Sequence, residues 1–371
     1  MNNILYHTLY TDNPWGHGGE KRTAQLAELC EECEVNRIVF NNEISKTNIS
    51  ILSVFKSIGI IFSVFRLSQF KSFIFFLKFW KNLTIQYPSL IYFFEQQEKL
   101  FVWESTKDIY YYLPYLAKKN KKKVIAVPHN LESLVSSQKS FLSGKISPFG
   151  FQAEIDVLKQ CDAVFAISRE ETLMLKLFDV NAYYLPYYPT KEVECYLLSI
   201  REKRKNRIDN EKRQILLLGS AINPPTRLGM EDRIYFFEQN MIENIELRIA
   251  GYNTEQLSSI ITNTKNISLL GELTVEKLEQ ELLQTDALLI NQPATSGALT
   301  RIIEFLIAGI PVLVNEDSAR SYFGMDGVWI YESNEQLIDF LQQDFLSMPT
   351  MPLKPKFQLN QFKNKLLEYS N

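Results

Sequence analysis

Cysteine is scarce in this chain. Four in 371 residues, Cys30, Cys33, Cys161 and Cys195, suit a reducing compartment and argue against a disulfide framework. Cys30 and Cys33 form a C-x-x-C, but they lie well inside a helical pattern with no second Cys or His pair close by. Helix packing accounts for them better than a metal. No apolar run approaches the ~18–20 residues of a membrane span. A net charge of −3 argues against bulk nucleic-acid binding. The N-terminal MNNILYHTLYTDNPWG has no basic stretch followed by an apolar one, so no secretory signal is visible and a cytoplasmic protein is expected. There is no D-x-D motif, so a carboxylate pair for a metal–diphosphate complex is not apparent. No repeat or low-complexity tract stands out.

What is present is an alternation of apolar strands with helical patterns, over a length that suits about two domains. Strands are expected at Ile4–Leu9, Arg37–Phe40, Lys99–Glu104, Lys123–Val127 and Ala163–Ile167. After the proline-bound YYLPYYP at Tyr183–Pro189 comes a charged stretch, Lys191–Arg213, with little to bury, which reads as a linker. Strands resume at Ile215–Leu218, Glu246–Ala250, Ile267–Leu270, Ala287–Asn291 and Val312–Val314, and an amphipathic helix, Phe357–Tyr369, ends the chain. The fold class is therefore α/β: two Rossmann-like, doubly wound parallel-sheet domains facing across a cleft. The first spans 1–189 and is joined by the helix of 355–371, and the second spans 190–354.

The most informative segment is Thr295–Asn315, TSGALTRIIEFLIAGIPVLVN. A small-residue turn, Thr295-Ser296-Gly297, follows a strand and opens an eleven-residue helical pattern, the arrangement of a phosphate-binding helix start. Arg301 in its first turns is unfavourable unless an anion lies nearby. Glu304 is the lone carboxylate between Asp286 and Glu316, set among Ile302, Ile303, Phe305, Leu306 and Ile307. Buried, it needs donors such as ribose or sugar hydroxyls. On this segment alone, an Arg301–Glu304 pair on an ordinary helix fits equally.

Other turns fit the same scheme. Gly18 and Gly19 stand at the first strand–helix handover, where two glycines permit φ > 0 and close backbone approach to a ligand, or serve conformation alone. His129, in Pro128-His129-Asn130-Leu131-Glu132, closes a strand and faces the cleft, or merely bridges its turn. Leu218–Gly229 reads as a long turn in which Arg227 reaches a phosphate or stays solvated. Between Lys46 and Phe94 there are six basic residues, no acidic ones and ten Phe. Phe73, Phe76, Leu77 and Trp80 fall on one helical face, and Lys71, Lys78 and Lys81 gather on another. This composition suits a helix lying on an anionic membrane surface, and also an internal helical layer with solvated lysines.

Taken together, the segments resemble the family 4 glycosyltransferases of the GT-B fold, over nearly the whole chain. The resemblance rests on H-G-G-x-x-R at His17, P-H-N-x-E at Pro128, CDAVFAISRE at Cys161–Glu170, G-S-x-x-x-x-P at Gly219, G-E-L at Gly271 and E-x-x-x-A-G-I-P-V-L at Glu304. It implies transfer of a hexose-type sugar from a nucleotide sugar to a glycan or lipid-linked acceptor. Retention of configuration, no metal or other cofactor, and a place in surface-polysaccharide or glycoconjugate assembly go with it. By motif, Glu304 binds the donor ribose, and amides near Ser296 and Gly297, with Arg301 and Arg227, face the diphosphate. Gly18, Gly19 and the Gly219 turn approach phosphate or sugar, His129 touches the transferred sugar, and the backbone near Leu273 meets the base. One departure stands out: the family's paired glutamates lie eight positions apart, and the earlier one falls on Ser296. A non-catalytic GT-B protein and a nucleotide-sugar epimerase of the same architecture therefore remain open.

Overall fold

The computed structural model describes residues 2–40, 50–146, 150–207, 212–240, 242–263, 265–343 and 347–371. The chain divides into two compact units, Met1–Tyr187 with Pro355–Asn371, and Tyr188–Lys354. Each is built on one six-stranded sheet.

In the first unit the strands are β1 (Asn2–His7), β2 (Val35–Val39), β3 (Leu100–Trp103), β4 (Lys123–Ala126), β5 (Ala163–Ala166) and β6 (Ala182–Tyr184), in spatial order β2-β1-β3-β4-β5-β6. All pairs are parallel. Helices α1 (Gly18–Glu32), α2 (Ile51–Val64), α3 (Phe73–Phe94), α4 (Tyr112–Lys119), α5 (Phe151–Leu158) and α6 (Arg169–Leu177) connect them. Strands β3, β4 and β5 are buried at nearly every position, as expected of a parallel sheet covered on both faces.

The second unit opens with α7 (Lys191–Arg204), then β7 (Arg213–Leu218), α8 (Pro224–Gln239), β8 (Ile245–Ala250), β9 (Ile267–Gly271), α9 (Val275–Gln284), β10 (Ala287–Ile290), α10 (Thr300–Ile307), β11 (Val312–Asn315), α11 (Glu316–Ala319), β12 (Val328–Tyr331) and α12 (Asn334–Gln342). Its sheet, again parallel, runs β12-β11-β10-β7-β8-β9. The chain then returns to the first unit as α13 (Lys356–Ser370), where Leu359, Phe362 and Leu366 enter the core and Phe362 sits edge-on to Phe165 at 5.0 Å. In each sheet the winding reverses once, between β1 and β3 and between β7 and β10. The carboxyl ends of those strands are where ligands bind in open α/β sheets.

Three sequence readings are corrected. The stretch read as a linker after Lys191 begins with a 14-residue helix, α7, because Val193, Leu197 and Ile200 share one face and are buried despite the charges between them. The long turn expected over Leu218–Gly229 is short, since Pro224 and Pro225 occupy the opening positions of α8, where a missing N–H costs nothing. In the aromatic segment, residues 46–49 lie outside the described residues, and the remainder folds into α2 and α3 around the core. Phe76 turns into the core and Trp80 is half-buried, whereas Phe73 and Leu77 are exposed alongside Lys78 and Lys81. The expected segregation of aromatics from lysines is thus absent.

Candidate functional site

In the second unit the reversal point joins the turn after β7, the first turn of α8 and the loop between β10 and α10. Gly219 is the hinge of this arrangement: a Cβ there would stand 2.4 Å from a guanidinium nitrogen of Arg301 and 2.8 Å from the Thr226 methyl. The space a side chain would fill is taken by Arg301, which donates to the Leu218 carbonyl through Nη1 and lies 3.4 Å from the Thr226 hydroxyl through Nη2. Burial lowers the Arg301 pKa to about 10, with the Glu304 charge acting in the opposite direction. A cation held at this cost is stabilised further by any anion that arrives.

Thr226 is the local tie point. Its hydroxyl also accepts from Gln292 Nε2 at 2.8 Å and Asn223 Nδ2 at 3.0 Å. Gln292 is held in turn by Asn315, which donates to its carbonyl at 2.7 Å and accepts from its amide at 3.1 Å. From the other side Arg320 donates to the carbonyls of Thr295 and Ser296 at 2.5 and 2.9 Å, and the Tyr322 hydroxyl donates to that of Leu299 at 3.0 Å. The loop into α10 is therefore anchored through its carbonyls. Gly297 adopts φ +84°, a conformation that favours glycine.

The helix starts later than the sequence suggests. Thr300 is its first residue, it has eight rather than eleven residues, and no side chain caps it at Leu299. Arg301 and Glu304 sit one turn apart within it, and Glu304 is 6% exposed. Arg227, in the first turn of α8, is half-exposed and pairs with Glu231 at 2.7 Å, the ordinary helical ion pair. Leu273 is half-buried in the turn between β9 and α9, where Gly271 has φ +70° and the Glu272 amide donates to Glu255 at 3.1 Å.

The first unit holds a second polar cluster at the ends of β1, β3 and β4. Glu104, directly after β3, is fully buried and accepts from three side chains. The Tyr6 hydroxyl reaches it at 2.5 Å, Thr23 donates to Oε1, and His129 Nε2 lies 2.6 Å from the same oxygen. Burial alone would raise the Glu104 pKa. The His129 contact, followed by Thr23 and Tyr6, outweighs it and holds the carboxyl below its ordinary value. An ionised Glu104 engages the imidazole of His129 through Nε2 and fixes the ring's orientation. Tyr10 stacks on His129 at 5.0 Å and meets His17 edge-on at 5.3 Å, and burial pushes its phenol up to about 12.

Buried carboxylates on neighbouring helices fix the His129 turn. Glu171 accepts from the Leu131 amide at 2.9 Å, and Glu154 accepts from the amides of Glu132 and Ser133 at 2.8 and 3.0 Å. Gly18 and Gly19 differ from expectation. Neither has positive φ; they are the first two residues of α1, whose end is closed by the His17 side chain accepting from the Gly19 amide at 3.1 Å and by Glu20 reaching back to the His17 amide at 3.2 Å. Gly19 instead makes room for Tyr10, whose ring would lie 3.0 Å from an added Cβ.

Sequence reasoning missed Glu104, Tyr6, Thr23, Thr226, Gln292 and Arg320. Glu104 did carry a signal: a carboxylate closing the apolar run Leu-Phe-Val-Trp.

No protein-family model matches the sequence, and no curated protein does. The fold does have solved counterparts. HepE from Anabaena, in complex with UDP and glucose, matches with a TM-score of 0.63 at 12% identity over 99% of each chain. The catalytic domain of starch synthase IV from Arabidopsis thaliana, bound to ADP and acarbose, matches at 0.61 and 8% identity over 100% of this chain and 98% of that one. UDP-GlcNAc 2-epimerase from Methanocaldococcus jannaschii matches at 0.51 and 11% identity over 99% of each. The chain thus has the two-unit Rossmann-like architecture, GT-B, that these proteins share.

Proposed function

We propose that this protein is a glycosyltransferase that moves a hexose-type sugar, with retention, from a nucleotide sugar to a glycan or lipid-linked acceptor in surface-polysaccharide or glycoconjugate assembly. The observation that carries the reading is the reversal point of the second unit. Buried Glu304 stands one turn after Arg301 on a helix whose start has no side-chain cap. In this reading Glu304 accepts from the ribose hydroxyls, and the opening turn of α10 with Arg301 stabilises the charge that develops on the leaving diphosphate. In the first unit, His129, oriented by Glu104, contacts the transferred sugar. Three solved proteins of the same fold, described with UDP and glucose, with ADP and acarbose, or as a UDP-GlcNAc epimerase, support a nucleotide-sugar ligand.

Calorimetric titration with a panel of nucleotides and nucleotide sugars tests this. One donor should bind, and Glu304→Gln should weaken it by about 10–100-fold, the worth of a charged hydrogen-bond pair. A Glu304→Gln protein that binds and turns over the donor like the parent defeats the assignment. Ser296, standing where the related pattern has a glutamate, favours one alternative, a donor-binding protein without transfer. Tight donor binding with no transfer or hydrolysis across a broad acceptor panel would select it. Formation of an epimeric nucleotide sugar without acceptor would select epimerisation.

A further inference from the structure

The hairpin of α2 and α3 leaves a large apolar surface uncovered. On α2, Ile51, Leu52, Phe55 and Phe62 are 58–78% exposed, and all fall on one side of the helix. On α3, Phe73, Ile74 and Leu77 are exposed on the side away from Phe76, Phe79 and Leu83. The two stripes meet, because the rings of Phe62 and Phe73 flank the buried Phe76 at 6.2 and 5.9 Å. Soluble surfaces rarely gather this many large apolar side chains without a partner.

The charges around the patch are all of one sign. Lys56, Arg66, Lys71, Lys78 and Lys81 are exposed, and residues 51–94 contain no Asp or Glu. A neighbouring loop continues the pattern. The Lys71 amide donates to the Leu142 carbonyl at 2.8 Å, and beside Leu142 the exposed Lys139, Phe141, Lys145 and Ile146 add two cations and two apolar side chains. The carboxylates at the base of that loop, Asp108 and Glu132, accept from Ser140 at 2.6 Å and from Gln138 at 2.5 Å.

We infer that this face docks on an anionic phospholipid bilayer, with the apolar stripes entering the headgroup–acyl boundary and the lysines paired with lipid phosphates. Apolar side chains flanked by cations match that interface. A second copy of the chain fits poorly, since joining two such faces sets lysines against lysines. Among the described residues no helix is long and apolar enough to cross a membrane, so the contact is with the surface. The inference does not depend on the transferase reading.

The test is co-sedimentation of the full chain with phosphatidylcholine vesicles, with and without phosphatidylglycerol. Binding should require the anionic lipid and weaken as salt rises. Replacing Lys71, Lys78 and Lys81 together by Ser should weaken it on the order of a hundredfold. Replacing Phe62, Phe73 and Leu77 by Ser should weaken it at least about tenfold. All six side chains are exposed, so melting temperatures and donor titration should stay near the parent's, and salt dependence of the unmodified chain is a check free of folding effects. No binding to phosphatidylglycerol vesicles at low salt overturns the inference, as does undiminished binding by both variants. It also fails if the protein ignores vesicles and forms a dimer that the Phe62, Phe73 and Leu77 substitutions abolish. Because vesicle binding and donor binding are read separately, failure of one leaves the other standing.

Discussion

At the scale of single residues, a buried carboxylate is tolerable only with donors, and Glu104 has three. Its role toward His129 is positional. In the proposed transfer reaction, Glu104→Gln keeps the shape and removes the charge that orients the imidazole, so kcat for transfer or donor hydrolysis should fall at least about tenfold, well beyond any rise in donor Kd. Equal loss in kcat and donor affinity would mean that Glu104 merely supports the fold. His7, one strand away, is the opposite case. Its ring is fully buried without a hydrogen-bond partner, packed 4.7 Å from Tyr110, and burial lowers its pKa to about 4 despite the Glu104 charge. The unfolded chain binds this proton near pH 6.5 and the folded chain only near 4, so stability is full above 6.5 and declines as pH falls through that window. His7→Phe removes the titration. Melting curves between pH 7 and 5 should show the variant gaining on the parent by about 1–2 kcal/mol at the acid end. An unchanged gap would place the acid sensitivity elsewhere.

Elements were legible from sequence where a short apolar run met a clear boundary. The Lys123–Val127 and Ala163–Ile167 runs are β4 and β5 nearly as read, because parallel strands buried on both faces show as continuous apolar runs. β6 is three residues inside a tyrosine- and proline-rich segment, and it is a strand only because Tyr183 and Tyr184 pair with β5. α7 hid its apolar face among charges, one of which, Arg204, is buried and donates to the carbonyls of Leu282 and Thr285 at 2.6 and 2.7 Å. Parts of the candidate site were visible as local oddities, such as a lone Glu304 in an apolar helix. The Glu104–His129 contact was not, because its partners follow different strands and meet only through the β3–β4 register that sets Trp103 opposite Ala126. The loop before α10 shows how an element is held by distant side chains: Arg320 grips the Thr295 and Ser296 carbonyls from 25 and 24 positions away. Arg320→Ala should loosen the loop and weaken donor binding about tenfold or more, with hydrogen exchange rising across 292–300. Unchanged affinity and exchange would show that the loop stands without it.

At the scale of the whole chain, the two units differ in how they are closed. The second is continuous in sequence, whereas the first is completed by α13 after the second has been traversed. That helix is part of the first unit's core. Leu359, Phe362 and Leu366 join Ile4, Tyr6, Leu26 and Phe165 in one cluster, and Lys363 pairs with Glu32 at 3.1 Å on its rim. The first unit therefore lacks one wall until residues 356–370 are present. Phe362→Ala, which removes a ring buried against Phe165, should destabilise that unit by about 3–5 kcal/mol. The second unit's core contains none of α13, so its stability and the nucleotide affinity proposed for it should change little. Denaturation followed by hydrogen exchange separates the outcomes: protection should fall across β1, β3 and α1 while β7, β8 and β10 keep theirs. Uniform loss across both sheets would mean that the units unfold as one.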